Sequence, residues 1–194
     1  MVDALTEIGL NQDGFLTAGQ ATGVNIDGYA LARLVKSGLL ERDGRGLYRL
    51  RPFPQSERAE LWRAVLAPGV QRSNGIAAVL CDGTALSLHS VSTINPKAIE
   101  VSVPRSARLR RELPRGLIVH RRDYPEEDVT RIDGLPTTTL FRTLVDLIAN
   151  RKELQFVDEA LSEAPKHLLL TSREFDTLSA MRRLDSRIIQ ALKT

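Results

Sequence analysis

The 194-residue sequence contains little cysteine and few aromatic residues. Cys81 is its only cysteine, so no disulfide can form within the chain and no cage of several cysteines can surround a metal ion. We therefore predict no metal site. No apolar run approaches the length of about 20 residues that spans a bilayer. The acidic, amphipathic N-terminus is unlike a signal peptide, so we expect a cytoplasmic protein without a membrane partner.

The remaining composition is that of an ordinary folded protein. Hydrophobic residues make up 42% of the chain and charged residues 26%, which excludes a disordered chain. The formal net charge is only +3, so a nucleic-acid partner is permitted but not required. The placement of the basic residues therefore matters more than their number.

A proline-rich segment, Arg51–Pro54, marks the clearest boundary in the chain, because proline restricts itself and the residue before it to extended conformations. We predict two domains, residues 1–51 and residues 55–194. In the first, three short helices precede a β-hairpin whose turn, residues 43–46, is rich in glycine.

The third helix of the first domain has its own start signal and core pattern. Asn25 or Asp27 can cap it, and its apolar residues follow at helical spacing. These apolar residues are Tyr29, Leu31, Leu34 and Val35.

Three helices followed by a basic hairpin form the plan of a winged helix-turn-helix, in which the third helix enters the major groove and the hairpin contacts the DNA backbone. Arg33 and Lys36 are three residues apart and share one helix face. The side chains predicted to contact DNA are Thr17, Gln20, Asn25, Arg33, Lys36, Arg42, Arg45 and Arg49. The alternative is a protein-binding module whose basic residues only face solvent.

The second domain mixes strand and helix patterns. We predict a helix over 56–67, a second over 76–89 that is split at Asp82-Gly83, and then strands over 98–103, 116–121 and 129–132. Further helices are predicted over 137–150 and 153–164, with a capping box at 171–174 that opens the last helix. The fold class is therefore α+β: a winged helix-turn-helix, then a mixed α/β domain with a helical C-terminal tail.

Several segments together resemble the AbiEi family of antitoxins. In the first domain these are G-F-L-T-A-G-Q-A-T-G-V, L-V-K-S-G-L-L-E-R and G-R-G-L-Y-R-L. In the second they are T-A-L-S-L-H, I-E-V-S-V-P and D-G-L-P-T-T-T-L-F-R-T-L-V-D-L. The resemblance covers about Gly14 to Ile148, and nothing is transferred to the residues beyond it.

The resemblance implies an antitoxin of a type IV, abortive-infection toxin-antitoxin operon. The N-terminal domain would bind inverted repeats in its own promoter and repress the operon. The C-terminal domain would counter a nucleotidyltransferase-class toxin, directly or functionally. We expect a monomer or a weak dimer, because palindromic operators favour two copies on DNA but do not require a dimer in solution.

A dense basic segment lies within the second domain. Its seven arginines are Arg105, Arg108, Arg110, Arg111, Arg115, Arg121 and Arg122. Such a density can neutralise several phosphates. It can extend the DNA footprint, bind RNA or a nucleotide, meet an acidic toxin surface, or form a solvated loop paired with the acidic residues that follow. Arg110 and Arg111 are kept as functional candidates.

Arg142 and Asp146 lie four residues apart on a predicted helix, so they can pair across one turn. They are functional candidates because they fall in the family-like stretch, although such pairs are usually structural. His89 and His120 lack a carboxylate at a recognisable catalytic spacing, and no catalytic residue is assigned.

Motifs of common enzymes are missing. There is no phosphate-binding P-loop, and His120-Arg121-Arg122-Asp123 lacks the asparagine of a kinase catalytic loop. Glu100-Val101-Ser102 does not supply the Glu-x-Lys of a restriction-type nuclease. Relatives by resemblance have been proposed to act as atypical serine kinases on their toxin, and this stays the alternative. No cofactor is expected, apart from ATP and Mg²⁺ under that alternative.

Overall fold

The computed structural model describes residues 2–51, 53–54, 56–72, 75–76, 78–109 and 112–191. Its helices are α1 Val2–Leu10, α2 Ala18–Gly23, α3 Gly28–Lys36, α4 Glu57–Leu66, α5 Asp82–Leu88, α6 Leu140–Ala149, α7 Leu154–Glu163 and α8 Ser172–Ala191. Its strands are β1 Phe15–Thr17, β2 Leu40–Gly44, β3 Leu47–Leu50, β4 Gln71–Arg72, β5 Gly75–Ile76, β6 Val79–Leu80, β7 Ile99–Val103, β8 Leu117–Arg121, β9 Val129–Ile132 and β10 Leu135–Thr138. Single 3₁₀ turns occur at Glu126–Asp128 and Ala164–His167.

The N-terminal part is a winged helix-turn-helix, as predicted. Helices α1 to α3 pack against an antiparallel sheet with strand order β1-β3-β2. Their shared core is built from Leu5, Leu16, Ala21, Ile26, Ala30, Leu31 and Leu40. Helix α3 follows α2 after a short turn, and the β2–β3 hairpin forms the wing.

The two faces of the wing sheet have different neighbours, because successive side chains of a strand point to opposite faces. Tyr48 and Leu50 pack with the core of the three helices. Leu47 packs on the other side with Phe15 and with Trp62 of α4. Helix α4 therefore covers the sheet face that the helix-turn-helix leaves open.

The second sheet has five strands in the order β8-β7-β6-β10-β9. The pairs β7–β8 and β6–β10 are parallel, whereas β6–β7 and β9–β10 are antiparallel. Val101 and Val103 of β7 pack in the same core as Phe15 and Trp62. Helix α4 thus lies between the two sheets and contacts β1, β7 and β10.

A third core joins the helices of the C-terminal half. Leu86 of α5 packs with Leu144 and Leu147 of α6, with Val157 of α7 and with Leu178 of α8. The predicted capping box at the start of α8 is present: Glu174 N donates to Thr171 Oγ1 at 3.3 Å, and Thr171 N donates to Glu174 Oε2 at 2.8 Å. The helical tail is confirmed.

Two predicted helices begin with strands. Residues 76–89 were expected to form a helix that is split at Asp82-Gly83, but β6 occupies Val79–Leu80 and the helix α5 starts only at Asp82. A short, fully buried apolar run fits a central strand as well as a buried helix, so the pattern was ambiguous. Likewise, residues 137 and 138 belong to β10, and α6 starts after Thr139, whose side chain accepts from Arg142 N.

The described ranges contain no helix that is both long enough and apolar enough to cross a bilayer.

Candidate functional site

Helix α3 presents a polar face away from the core. Asp27 caps its start by accepting from Ala30 N at 2.8 Å, and Ala30 and Leu31 are buried. Positions 29, 33 and 36 lie on the opposite side, because residues three and four apart share a helix face. Arg33 and Lys36 are exposed there. The structure therefore places these two predicted residues side by side on the outer face of α3.

Tyr29 joins the same exposed face. Its side chain is 86% exposed, so the prediction that it belongs to the helix core is wrong. The reason is phase: Tyr29 is two residues from the buried Leu31, which is about 200° around the helix. Counting helical positions from Leu31 would have revealed the exposed ring in advance.

The turn before α3 and the start of α2 have separate roles. Asn25 is exposed and has a φ of 60°, a left-handed conformation that asparagine tolerates well. Thr17 and Gln20 form a capping box at the start of α2, and Gln20 Nε2 donates to Gln12 Oε1 at 2.8 Å. The polar groups of Thr17 and Gln20 thus have partners within the domain.

The predicted arginines of the wing point in different directions. Arg42 and Arg45 are exposed, with Arg45 in the turn between β2 and β3. Arg49 faces the other way and donates to the carbonyls of Phe53 at 3.1 Å and Pro54 at 2.8 Å. Its guanidinium also lies 5.3 Å from the centre of the Phe15 ring. Arg49 therefore connects the segment that follows the wing, at Phe53 and Pro54, to the wing sheet.

The basic segment of the second domain lies beside the wing. A cleft of about 280 Å³ is lined by Arg45 of the wing turn and by Glu112 and Pro114 of this segment. Arg105, Arg108, Arg115 and Arg121 are exposed, and Arg121 also donates to the carbonyl of Ala107 at 2.6 Å. Arg110 and Arg111 lie outside the described residues.

Arg122 turns inward and organises a buried charge network. Its guanidinium pairs with Asp82, with 3.0 Å between Nη2 and Oδ2, and its Nη1 lies 3.3 Å from Asp146 Oδ2. Asp82 is 1% exposed and Asp146 is 4% exposed. Tyr124 completes the group by donating to Asp146 Oδ2 at 2.7 Å. The network joins α5, β8 and α6.

The predicted pair Arg142 and Asp146 is present within this network. Arg142 Nη2 donates to Asp146 Oδ1, and Arg142 Nη1 lies 3.5 Å from Asp128 Oδ2. The Arg142 guanidinium also lies 5.3 Å from the centre of the Tyr124 ring. Asp146 is therefore buried and hydrogen-bonded to several groups, rather than forming an isolated pair with Arg142 at the surface. Asp82, Arg122 and Tyr124 were not predicted as its partners, because they lie far from Asp146 in sequence.

A second group of charges surrounds the other side of Asp82. His120 Nε2 lies 3.4 Å from Asp82 Oδ2 and 2.8 Å from Glu100 Oε2. Lys152 Nζ lies 3.3 Å from Asp82 Oδ2 and 3.5 Å from Glu100 Oε2. Sequence inspection gave no signal for Lys152, which is 70 residues from Asp82.

The protonation states within the network follow from its contacts. Burial alone would raise the pKa of the Asp82 carboxyl, but hydrogen bonds and attraction from Arg122 outweigh it and lower the pKa. Burial raises the pKa of Tyr124, which keeps the phenol protonated as a donor to Asp146. Asp82 is therefore held as a carboxylate and Tyr124 as a neutral phenol.

Two family models match the chain. Residues 3–51 match the model described as transcriptional regulator, AbiEi antitoxin. Residues 76–186 match the AbiEi antitoxin C-terminal domain, which covers more than half of the chain. The chain belongs to the AbiEi antitoxin family. The regulator match contains the exposed face of α3 and the wing, whereas the antitoxin match contains the buried charge network.

Other comparisons add less. No curated protein matches this AbiEi antitoxin significantly. Among solved structures, it is similar to the RV2827C protein from Mycobacterium tuberculosis, with 14% identity and a TM-score of 0.48. That match covers 91% of this chain and 69% of the other.

The family assignment defines the general role of the protein. It is an antitoxin with a transcriptional regulator domain, so DNA and a toxin are its partners in general terms. The regulator domain is the part with the exposed basic helix face.

Proposed function

We propose that this antitoxin represses the promoter of its own operon by placing α3 in the major groove and the wing on the neighbouring backbone. The observation that carries the proposal is the outer face of α3, where Tyr29, Arg33 and Lys36 are exposed together. A helix fits the major groove, and arginine, lysine and tyrosine can donate to phosphates or base edges. Asn25 extends this face at the turn before α3.

The wing supplies the second part of the interface. Arg42 and Arg45 are exposed along it and at its tip, where they can donate to backbone phosphates. Thr17 and Gln20 support the interface by capping α2, and Arg49 supports it from the opposite sheet face. In this proposal the direct contacts are Tyr29, Asn25, Arg33, Lys36, Arg42 and Arg45.

The basic segment of the second domain extends the same footprint. Arg108 and Arg115 are exposed, and the segment shares a cleft with Arg45 of the wing. This placement favours DNA among the partners considered for the segment. Replacing Arg108 and Arg115 by alanine should lower the salt dependence of DNA binding by about 0.9 per lost phosphate contact. Unchanged salt dependence with weakened toxin binding would assign the segment to the toxin instead.

An inverted-repeat operator would bind two copies of the chain. Its half-sites would lie about one helical turn, or a multiple of it, apart. The test is a gel shift with the operon's own promoter, beside a shuffled sequence of equal length at the same salt concentration. We expect preferential binding to the promoter and repression of a promoter reporter. Equal binding to both DNAs without repression would contradict the proposal.

We further propose that the second domain neutralises a nucleotidyltransferase-class toxin in the cytoplasm, and that it does so by direct contact. The family assignment supports an antitoxin role for this domain. Purified antitoxin mixed with the toxin encoded beside it should form a complex on size-exclusion chromatography and inhibit nucleotide transfer. Intact-mass measurement after incubation with ATP tests the alternative. A phosphate added to the toxin without a stable complex would replace direct contact by a kinase activity.

A further inference from the structure

One side-chain cluster in the second domain brings together donor groups that lie outside the proposed DNA contacts. Cys81, Asp82 and His120 each offer one ligand atom, and these three atoms lie within 4.8 Å of one another. The Glu100 carboxylate lies 2.8 Å from His120 Nε2. We propose that these four residues bind one divalent transition-metal ion, with zinc as the expected ion.

The fold brings the four donors together from three adjacent strands. Cys81 and Asp82 directly follow β6, and Cys81 N donates to the Glu100 carbonyl on β7 at 3.1 Å. His120 on β8 is the partner of Ser102 in the parallel ladder. Glu100 and Ser102 are two residues apart, so Glu100 and His120 share one face of the sheet. The arrangement is therefore fixed by strand pairing rather than by a loop.

The spacing of the donors fits a small ion. Zinc binds sulfur at about 2.3 Å and nitrogen or oxygen at about 2.0–2.2 Å, which places tetrahedral donors roughly 3.5 Å apart. His120 Nε2 already lies 3.4 Å from Asp82 Oδ2. The donor atoms of Cys81, Asp82 and His120 lie within 4.8 Å of one another, so they need to approach by at most about 1.3 Å.

Lys152 marks the position that a cation prefers. Its ammonium group lies between the two carboxylates, 3.3 Å from Asp82 Oδ2 and 3.5 Å from Glu100 Oε2. The Lys152 side chain is 39% exposed, so it can swing into solvent when an ion takes its place. Arg122 would then remain on the outer side of Asp82 and orient that carboxylate, as outer partners of metal ligands do.

Two further features of the cluster suit a ligand site. Cys81 is fully buried, and its thiol is free. Asp82 is buried and has a φ of 48°, a left-handed conformation that aspartate, like asparagine, tolerates. An aspartate at this position places its carboxylate among the other donors.

The donor set selects the type of ion. Thiolate and imidazole donors suit zinc and related transition metals, whereas magnesium and calcium prefer oxygen donors alone. The proposed site differs from the prediction of no metal site, which was made because a single cysteine lacks the repeated spacing of common zinc motifs. The bound ion would fasten the start of α5 to β7 and β8.

Titration of the full-length protein with cobalt, after dialysis against a chelator, tests the site directly. Cobalt bound to a thiolate has a sulfur-to-cobalt charge-transfer absorption, and Cys81 is the only cysteine. We expect this absorption to saturate at one equivalent, to vanish on addition of zinc, and zinc to raise the unfolding temperature. If the wild-type protein shows no such absorption at saturating cobalt, the proposal is wrong. This result does not depend on the folding of any variant.

Zinc affinity of variants, measured by competition with a chromophoric chelator, identifies the ligands. His120→Gln and Cys81→Ser should each weaken zinc binding by at least about 100-fold, which is the upper end of the effect of losing an outer partner. Lys152→Met should tighten binding, because it removes a competing charge. His167→Gln is the matched control, since His167 is exposed and outside the cluster. If none of the cluster variants changes the zinc affinity, the assignment of these ligands is wrong.

Discussion

The outer surface of α3 and the wing, and the buried charge network of the second domain, use basic residues in opposite ways. On α3 and the wing, Arg33, Lys36 and Arg45 are exposed. In the second domain, Arg122 lies between two buried carboxylates and the Tyr124 hydroxyl. Exposed cations add little to folding but are available to a partner, whereas buried paired cations are required by the carboxylates they neutralise. The comparison predicts that substitutions in the two regions have separable effects.

The largest effect is expected for Arg122→Ala. It leaves Asp82 and Asp146 buried without their shared partner, and breaking a buried pair costs about 3–5 kcal/mol. Urea unfolding followed by circular dichroism measures this loss. Arg33→Ala is the control from the other region and should stay within about 0.5 kcal/mol of the wild type. A loss below about 1 kcal/mol for Arg122→Ala would remove the distinction between the two regions.

The wing also has an exposed arginine, Arg42, and an arginine held in internal hydrogen bonds, Arg49. Arg49→Ala removes hydrogen bonds to the carbonyls of Phe53 and Pro54, and bonds from charged donors contribute about 1.5–3 kcal/mol. Arg42→Ala should leave stability unchanged and weaken DNA binding. The measurements are urea unfolding and operator affinity for both variants. If Arg42→Ala destabilised the protein and Arg49→Ala did not, the assignment of the two sheet faces would be wrong.

Acid should weaken the second domain through His89. Burial lowers its pKa below 6.5, although its hydrogen bond with the Thr138 carbonyl opposes the shift. Since the unfolded chain then binds the proton more tightly, stability is complete above about pH 6.5 and falls as the pH drops below it. His89→Gln should flatten this fall between pH 7 and pH 5 in urea unfolding, and His167→Gln should not. An equal fall in wild type and His89→Gln would refute this role of His89.

The smallest effect is expected for Tyr29, which lies on the exposed face of α3. Tyr29→Ala should leave the free energy of unfolding within about 0.5 kcal/mol, because the ring contributes little to the core. It should lower operator affinity about fivefold, the value of one hydrogen bond of about 1 kcal/mol. Tyr29→Phe, measured by fluorescence anisotropy, separates the hydroxyl from the ring. Operator affinity that is unchanged in Tyr29→Ala would remove this residue from the interface.

The winged domain could be predicted from sequence because its signals are local. The cap at Asp27 and the glycine-rich hairpin turn lie within a few residues of the structure they specify. The exposure of Tyr29 was missed because its apolar ring was counted as core without checking its phase against Leu31. Arg49 was predicted to contact DNA, but it lies on the sheet face that α4 covers. The hairpin sequence alone does not show which face that is, because α4 follows later in the chain.

The charge network could not be predicted, because its contacts are distant in sequence. Arg122 lies 40 residues from Asp82, and Lys152 lies 70 residues from it. Their meeting depends on the order of the five strands, which local patterns do not contain. The pair Arg142 and Asp146 was predicted because the two residues are one helical turn apart. The burial of the pair and the other partners of Asp146 were not predicted.

The salt dependence of operator binding shows whether α3 and the wing contact the DNA backbone. Wild type is compared with the triple variant Arg33→Ala, Lys36→Ala, Arg45→Ala, and Arg173→Ala controls for loss of an exposed charge on α8. The logarithm of the binding constant is plotted against the logarithm of salt concentration. We predict weaker binding for the triple variant and a slope reduced by about 2 to 3, with unchanged stability. If the triple variant binds the operator with the wild-type affinity and slope, these three residues do not contact the DNA.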